Sequence, residues 1–376
     1  MSVDGARVAI YTGGLMAALA LHVLVHAEAR GAPALVAAGI VLAALAPGLV
    51  GAGGRLAALR RPAAAAAAVL VLLVPLGLAA PEAGLAATIA SRPLLTELPA
   101  VFFAARLVAC EDERRFDAFW RKPTAAVPPA SLPSTLAAIL TGAFLTLVFY
   151  KLAADLKGAG PDPATRFAIA AALGETAVHH AIVFLFFVIL AHAFEMHRLA
   201  RADARALGRL ARLIDLDPHG FAADPARAAA SLAGEAPGRV PGLVLASLDQ
   251  AGRPQDRGGL LSALAYEGFR RAGDRFVRTL VPLLPLLGFV GTVVGIATAM
   301  ADLPRGLGAG TERGFDIGQS LAGLAIKFET TLLGLVASLV AMLVLGALER
   351  GEAELAARTE RLVDAGLAAA GPEPAR

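Results

Sequence analysis

Polar residues interrupt two apolar segments near the end of the chain, in a pattern that would suit the passage of an ion. The segments begin at Leu283 (LLPLLGFVGTVVGIATAM) and at Leu324 (LAIKFETTLLGLVASLVAML). Their candidate ion-pathway residues are Thr292, Lys327, Glu329, Thr330 and Thr331. Each such group costs on the order of 1 to 3 kcal/mol when it is buried in a membrane without compensation. We therefore expect a neighbouring subunit, water or a moving ion to compensate them.

Small residues recur along the same two segments at intervals of three or four, which places them on one face of each helix. The first stripe contains Gly288, Gly291, Thr292 and Gly295, and the second contains Thr331, Gly334, Ser338 and Ala341. Faces of this kind permit close helix packing, and two of them with hydroxyl groups could line one pore. The alternative is ordinary packing of small residues, with the threonines bonded back to their own helix.

The two charged residues of the second segment cannot both face a pore. Lys327 and Glu329 are two positions apart, so their side chains project about 200° from each other on a helix. Glu329 could be a protonatable entry group, or Lys327 could bind an acidic group on a partner or a neighbouring subunit. Alternatively the helix protrudes from the membrane, with Lys327 reaching the interface and Glu329 pairing locally.

The composition indicates a membrane protein. Hydrophobic residues make up 57% of the chain, charged residues only 17%, and the mean hydropathy is +0.66, values that are rare in soluble domains. The net charge is +3. However, the arginines lie beside apolar segments and form no patch with interleaved aromatic residues, which argues against nucleic acid as a partner. The lipid bilayer is the expected environment.

Few residues suggest catalysis or metal binding. Cys110 is the sole cysteine, so neither an intrachain disulfide nor a cysteine-rich metal site can form. Histidines at positions 22, 26, 179, 180 and 192 raise the idea of a haem or metal site, but no carboxylate or cysteine completes a ligand set. The chain has no hydrolase constellation, P-loop or nucleotide fingerprint. We therefore expect no cofactor, no metal and no enzymatic activity.

Seven apolar stretches are long enough to cross about 30 Å of hydrocarbon as helices. They are Val8–Ala27, Pro33–Ala52, Pro62–Ala80, Leu132–Ala154, Thr176–Met196, Val277–Ala301 and Gln319–Leu348. A weaker stretch, Leu94–Cys110, would be an eighth crossing or a re-entrant or interfacial helix. The expected fold is an all-α polytopic membrane protein with seven or eight transmembrane helices, of which the last two line a pore.

Arginines near the ends of these stretches mark the cytoplasmic side of a membrane. They follow the fifth stretch from Arg198 and precede the sixth up to Arg278, so residues 197–278 should be cytoplasmic. Leucines spaced by roughly 3.6 residues predict that the fifth helix continues there as a stalk, as far as the breaker DPHG. The expected regions are an accessory membrane region (1–129), a peripheral helix pair (130–197), a cytoplasmic helical domain (198–276), the pore helix pair (277–350) and a C-terminal helix with a short tail (351–376).

Two motifs in the last two apolar stretches carry a resemblance to a known family. They are GFVGTVVGI at residues 288–296 and FETTLLGLVASLV at residues 328–340. In this order and orientation, after a cytoplasmic insertion, they resemble the MotA/TolQ/ExbB proton channel family. The resemblance extends over about residues 132–366, by motif in the last two helices and by topology before them.

The resemblance implies the ring subunit of an ion-driven motor in the bacterial inner membrane. The ring would be a homopentamer around two single-span partners of the ExbD/TolR/MotB kind. The transmembrane aspartate of the partner would accept the proton and face ring threonines that correspond to Thr292 and Thr331. One position departs from the pattern, because ExbB-like members have a glutamate where this chain has Ile326. Lys327 and Glu329 lie nearby, so the acidic relay and the identity of the ion, H⁺ or Na⁺, stay open.

Two other classes of function are alternatives to the motor. A substrate transporter would bind a solute at the membrane midplane, and it predicts inverted internal repeats, which the sequence lacks. A membrane scaffold without ion flux predicts that Thr292 and Thr331 can be replaced without effect. The paired motif favours the motor.

Overall fold

The computed structural model describes residues 7–19, 61–68, 97–121, 134–158, 177–224, 227, 274–308 and 317–368. Within these ranges some side chains are outside the description, among them those of residues 114–121, 301–308 and 317–327. All regular secondary structure in the described ranges is α-helical. The predicted all-α class is therefore confirmed.

The described helices differ widely in length. They are α1 (Arg7–Leu19), α2 (residues 61–68), α3 (Glu97–Arg121), α4 (Thr135–Gly158), α5 (Ala177–Leu216), α6 (Pro218–Ala223), α7 (residues 274–280), α8 (Leu283–Gly308) and α9 (Ile317–Ala368). With 40 and 52 residues, α5 and α9 are about 60 Å and 78 Å long at 1.5 Å per residue. Both exceed the thickness of a bilayer.

Four of the predicted crossings are helices that are long and apolar enough to span a membrane. These candidate spans are Thr135–Ala153, Ala177–Leu216, Asp274–Ala297 and Phe328–Gly366. The crossings predicted at 8–27 and 62–80 are described only in part, as α1 and α2, and the one at 33–52 lies outside the described residues. Of the weak stretch Leu94–Cys110, the described residues 97–110 belong to α3, which is not among the four candidate spans.

The two longest helices, α5 and α9, lie side by side and run in the same direction. Near one end, Val178 of α5 and Thr330 of α9 both lie beside Gly291 of α8, and near the other, Ile214 of α5 lies beside Gly366 of α9. The residue numbers of both helices rise from the first place to the second, which shows that the helices are parallel. Beyond the membrane segment a small apolar core joins them, made of Ala206, Leu210, Ile214, Phe221 and Val363. This core confirms the predicted helical stalk.

The DPHG sequence ends α5, as predicted, and starts a new short helix. The Asp217 carboxylate accepts a hydrogen bond from the Gly220 backbone N–H at 2.7 Å, which caps α6. Pro218 follows at the first helical position, where its missing N–H costs no hydrogen bond. The stalk therefore turns at Asp217 without leaving an uncapped helix end.

A buried network of four charges holds α3 against α5. Arg106 of α3 contacts Glu195 of α5 at 2.5 Å, and Arg198 contacts the other oxygen of Glu195 at 2.9 Å. Arg198 also pairs with Glu113 of α3. Two positive and two negative side chains thus balance each other at a level where an unpaired charge would be costly. Through this network the N-terminal region is fixed to the long helix that borders α9.

A second polar contact joins α2, α3 and the start of α4. Asp112 of α3 forms an ion pair with Arg61 at 2.7 Å and accepts a hydrogen bond from the Ser134 hydroxyl at 2.6 Å. The Ser134 oxygen in turn accepts from the Ala137 backbone N–H at 3.2 Å, as an N-cap does. The same side chains therefore cap α4 and anchor the accessory helices.

We predict that Glu195→Gln lowers the free energy of unfolding by about 3 kcal/mol, because it leaves two arginines to share Glu113. The matched control is Glu354→Gln in the stalk, where the Glu354–Arg358 pair is exposed and contributes only about 0.3 to 0.5 kcal/mol. Thermal unfolding of the purified protein in detergent measures both. Equal melting temperatures for the two variants would show that the network does not hold α3 in place.

Candidate functional site

Helices α8 and α9 cross closely in antiparallel directions. Three contacts mark the crossing: Val281 with Ser338, Leu284 with Gly334, and Gly288 with Thr331. An ion pair between Arg278 and Glu349, at 3.0 Å, continues the series beyond the arginine-rich end of α8. As the residue number falls on α7 and α8, it rises on α9. The two motifs of the sequence thus face each other along about four helical turns.

Two prolines determine where α8 starts and which of its first carbonyls lacks a helical hydrogen bond. Pro282 separates α7 from α8, and Pro285 has no N–H to give to the carbonyl of Val281. That carbonyl accepts a hydrogen bond from the Leu284 backbone N–H at 3.2 Å and from the Ser338 hydroxyl at 3.4 Å. Ser338, predicted as a packing residue, therefore also donates a hydrogen bond to a carbonyl that cannot receive one from residue 285.

Glycines 288 and 334 allow the two backbones to touch. A Cβ on Gly288 would lie 2.8 Å from the Thr330 carbonyl oxygen and 2.9 Å from the Thr331 Cα. A Cβ on Gly334 would lie 2.5 Å from the Leu284 carbonyl oxygen. These neighbours are backbone atoms, which cannot rotate away. Glycine is thus required at both positions for the observed helix spacing.

At the other predicted small residues of α8, the helix contact depends less strictly on glycine. A Cβ on Gly291 would lie 2.9 Å from the Thr330 hydroxyl oxygen, a side-chain atom that can move. Gly295 is buried one turn further along α8. Thr330 itself is 1% exposed, and its hydroxyl lies 3.5 Å from the Gly288 carbonyl. Thr330 is therefore inside the helix contact, in contrast to the half-buried Thr331.

Thr292 and Thr331 meet at the edge of this contact. Each hydroxyl oxygen lies 3.1 Å from the Gly288 carbonyl oxygen, and the two hydroxyls are in hydrogen-bond contact with each other. We call these two residues the threonine pair. Both are half-buried, and Thr292 is about 21 Å from Arg278 along the helix axis, well inside a bilayer of about 30 Å.

The threonine pair has fewer hydroxyl protons than hydrogen-bond positions. Each threonine donates one hydrogen and accepts two, so the two protons cannot occupy all three contacts within the group. One hydroxyl donates to the Gly288 carbonyl while the other donates to its neighbour. Lone pairs remain on the oxygens, and a rotation of one hydroxyl would release a donor. The pair can therefore accept a hydrogen bond from an acid or donate one to a carboxylate.

The two predicted charged residues lie near the start of the α9 span. Glu329 is half-buried and precedes Thr331 by two positions, so its carboxylate projects away from the threonine pair. Lys327 lies on α9, but its side chain is outside the described residues. In the structure, Thr292, Thr330 and Thr331 therefore lie together with the small residues, and Glu329 lies outside that group.

Large apolar side chains cover the outer faces of α8 and α9. In this single chain, Phe289 of α8 and Leu343 of α9 are 62% and 66% exposed. The same faces carry Leu286, Val290, Val293 and Val294 on α8 and Leu332, Leu335, Val336 and Leu339 on α9. Such surfaces suit lipid or another apolar protein surface. They border the half-buried threonine pair.

Sequence reasoning missed the polar contacts that join distant helices of the bundle, among them two made by α5. The first is the Arg106–Glu195–Arg198–Glu113 network, whose signal was a glutamate inside the apolar run 176–196. The second joins His192 to Asp274, which lies just before the sixth apolar stretch. As for metals, no group of three His, Cys, Asp or Glu side chains in the described part of the chain could hold an ion. His22 and His26 lie outside that part.

We predict that Gly334→Ala destabilises the helix pair by about 1 to 3 kcal/mol, because the added methyl group pushes against a carbonyl of α8. Gly351→Ala, on the same helix, is the control, since nothing lies within 4 Å of its Cβ position. There the alanine should be neutral or stabilising by up to about 1 kcal/mol. Thermal unfolding in detergent compares the two. A Gly334→Ala protein as stable as the wild type would contradict the close crossing.

Comparison with known proteins agrees with the motifs of the helix pair. Residues 261–361 match the MotA/TolQ/ExbB proton channel family, a segment that includes α7, α8 and most of α9. No curated protein and no solved structure significantly matches the chain. The match lies within the 132–366 expected from the motifs and leaves the N-terminal region uncovered. Both helices of the threonine pair thus lie within the segment that matches the MotA/TolQ/ExbB proton channel family.

Proposed function

We propose that this chain is the pore-forming ring subunit of a motor driven by protons or another cation. It would work with a single-span membrane partner of the ExbD/TolR/MotB kind that carries a transmembrane aspartate. The chain is a membrane protein with a segment that matches the proton channel family. We propose, in addition, the ring assembly, the partner and the coupling of ion flow to mechanical work.

One observation carries the proposal: the threonine pair lies on glycine-packed helices inside the family segment, within the depth of a bilayer. In a simple membrane anchor these hydroxyls would serve only to hold the two helices together. The glycines and the back-bonded Thr292 already provide a close contact. The second hydroxyl, from α9, supplies the additional hydrogen-bonding position that an external carboxyl group could use.

The exchangeable hydroxyl protons suit a carboxyl group that changes its protonation state. When the partner aspartate is protonated, its O–H can donate to a lone pair of Thr331 or Thr292. When it is ionised, one hydroxyl can turn away from the Gly288 carbonyl and donate to the carboxylate. The threonine pair would thus hold the partner in both states, and neither state would leave a buried polar group without a hydrogen bond.

The outer surfaces of α8 and α9 support an assembly of several copies. Their large apolar side chains are exposed in the single chain, and a ring would cover one part with neighbouring copies and leave another to lipid. We propose five copies, from the family resemblance, and a bacterial inner membrane location. The arginines of the stalk and of α7 would lie on the cytoplasmic side.

We predict that Thr331→Val reduces cation flux through the complex with its partner about tenfold or more, while assembly is retained. Valine keeps the shape of threonine but removes the hydroxyl. The measurement is proton uptake, under an applied potential, by liposomes that contain this chain and a single-span partner of the ExbD/TolR/MotB kind. Thr331→Ser should restore the flux.

The matched control is Thr146→Val on α4. Thr146 is also buried and bonded to its own helix, through the Gly142 carbonyl at 2.8 Å, but it is remote from the threonine pair. This variant should keep wild-type flux. Unchanged flux in Thr331→Val would rule out the threonine pair as the ion site. Flux that requires a cosubstrate would point to a transporter, and no flux with any partner to a scaffold.

We also predict five copies of the chain in each purified complex. Native mass spectrometry of the detergent-solubilised complex gives the number directly. A monomer or a dimer would count against the ring.

A further inference from the structure

Helix α3 is surrounded by protein on almost every side. Of its side chains that are described between residues 99 and 113, only that of Phe102 is exposed, at 55%. Most of the others belong to one buried cluster, which also contains side chains of α1, α2 and α4. A helix at the surface of a protein buries only one stripe of its side chains. α3 is therefore an internal helix of the N-terminal region.

The end of α3 near residue 112 lies at the same depth as one edge of a membrane span. Asp112 accepts a hydrogen bond at 2.6 Å from Ser134, the residue that caps α4. The candidate span of α4 begins at the next residue, Thr135. Glu113 of α3 pairs with Arg198, which follows the apolar part of α5. This edge is thus the arginine-rich one.

The direction of α3 follows from its contacts with α5. Arg106 lies beside Glu195 and Glu113 lies beside Arg198, so the residue numbers of the two helices rise together. α5 is itself a candidate span. Glu97, the first residue of α3, is 15 residues before position 112, or about 22 Å along the axis. α3 therefore extends over most of the about 30 Å of hydrocarbon.

Helix α1 runs beside α3 in the opposite direction. The Tyr11 ring centre lies 5.7 Å from the guanidinium of Arg106. One turn further along α1, a Cβ on Gly14 would lie 2.6 Å from the ring of Phe103. The residue number thus rises along α1 while it falls along α3. The start of α1, at Arg7, is therefore near the arginine-rich edge.

The composition of α3 explains why it is not among the four candidate spans. Charged side chains are costly in lipid, and inside membranes they pair with one another within the protein. In α3, Arg106 pairs with Glu195 at 2.5 Å and Asp112 pairs with Arg61 at 2.7 Å. A helix that contacts protein instead of lipid does not need an apolar surface. Its hydropathy therefore does not indicate whether it crosses the membrane.

We propose that α3 crosses the membrane as a helix that protein, and not lipid, surrounds. It is a crossing in addition to the four candidate spans, and it runs from the opposite face of the bilayer to the arginine-rich face. The start of α1 lies on the arginine-rich face as well. The ion pairs of α3 with α5 would then fix the accessory region to the channel segment within the membrane. This arrangement is independent of the proposed function, because it holds with or without a ring.

The first test maps the two ends of α3 with a membrane-impermeant maleimide. Cys110→Ala removes the sole cysteine of the full-length chain. In that background, Ser91→Cys and Lys122→Cys place a thiol before and after α3, and Arg201→Cys, at an exposed position of α5, marks the arginine-rich side. The last two should react in inverted membrane vesicles and Ser91→Cys only in spheroplasts. Reaction of Ser91→Cys and Lys122→Cys from the same side would overturn the crossing.

The second test measures the depth of α3 and decides alone if one of these thiols is unreactive from both sides. The chain has one tryptophan, so Trp120→Phe removes this fluorophore and Phe102→Trp supplies a new one on α3. Position 102 is 10 residues, or about 15 Å, from Asp112, near the centre of the bilayer. The protein is placed in nanodiscs with and without lipids brominated at the ends of their acyl chains.

Bromine at the bilayer centre should quench Phe102→Trp several-fold more strongly than the matched control Phe103→Trp, whose position is half-buried against Gly14. An absence of quenching at both positions would place α3 outside the hydrocarbon. Equal quenching at both would show that lipid, and not protein, surrounds it. Either result would contradict the proposal.

Discussion

The contact between the backbones of α8 and α9 at Gly288 and Gly334 is the constraint on which the rest of the structure depends. Lipid tails are as apolar as leucine side chains, so membrane helices associate through close packing and hydrogen bonds. Two glycines bring the backbones together. Only at that distance can hydroxyls of α9 reach the Gly288 carbonyl of α8. The threonine pair exists because the glycines leave no side chain between the helices.

The other helices fix this contact in place. α5 runs parallel to α9, from Val178, which lies with Thr330 beside Gly291, to Ile214, which lies beside Gly366. α5 also carries the charged residues that bind α3 and the histidine that contacts α7. The accessory helices, outside the family segment, are thus joined by buried polar contacts to the same long helix that borders the pore pair.

Much of the helix pair could be predicted because its determinants are local. The spacing of Gly288, Gly291 and Gly334 defines a packing face without any knowledge of the partner helix, and apolar length predicts the spans. The distinction between Thr330 and Thr331 was not predictable. They are adjacent, and only the crossing angle decides which one is enclosed by the contact and which one lies at its edge.

Contacts between residues that are distant in the chain also could not be predicted from the sequence, for a physical reason. His192 and Asp274 are 82 residues apart, and Arg106 and Glu195 are 89 apart. Periodicity shows which face of a helix is apolar, but it does not show which faces of two remote helices meet. The hydrogen bond from Ser338 to Val281 likewise required the register of the crossing, although Pro285 already indicated that a carbonyl would lack its donor.

The most direct measurement is a cryo-electron microscopy structure of this chain purified with the membrane protein of the neighbouring gene. We expect a ring with one or two partner helices in its pore, and the Thr292 and Thr331 hydroxyls facing a carboxyl group of the partner. A monomer or dimer with a closed cavity at the membrane midplane, or a threonine pair that faces lipid, would contradict it.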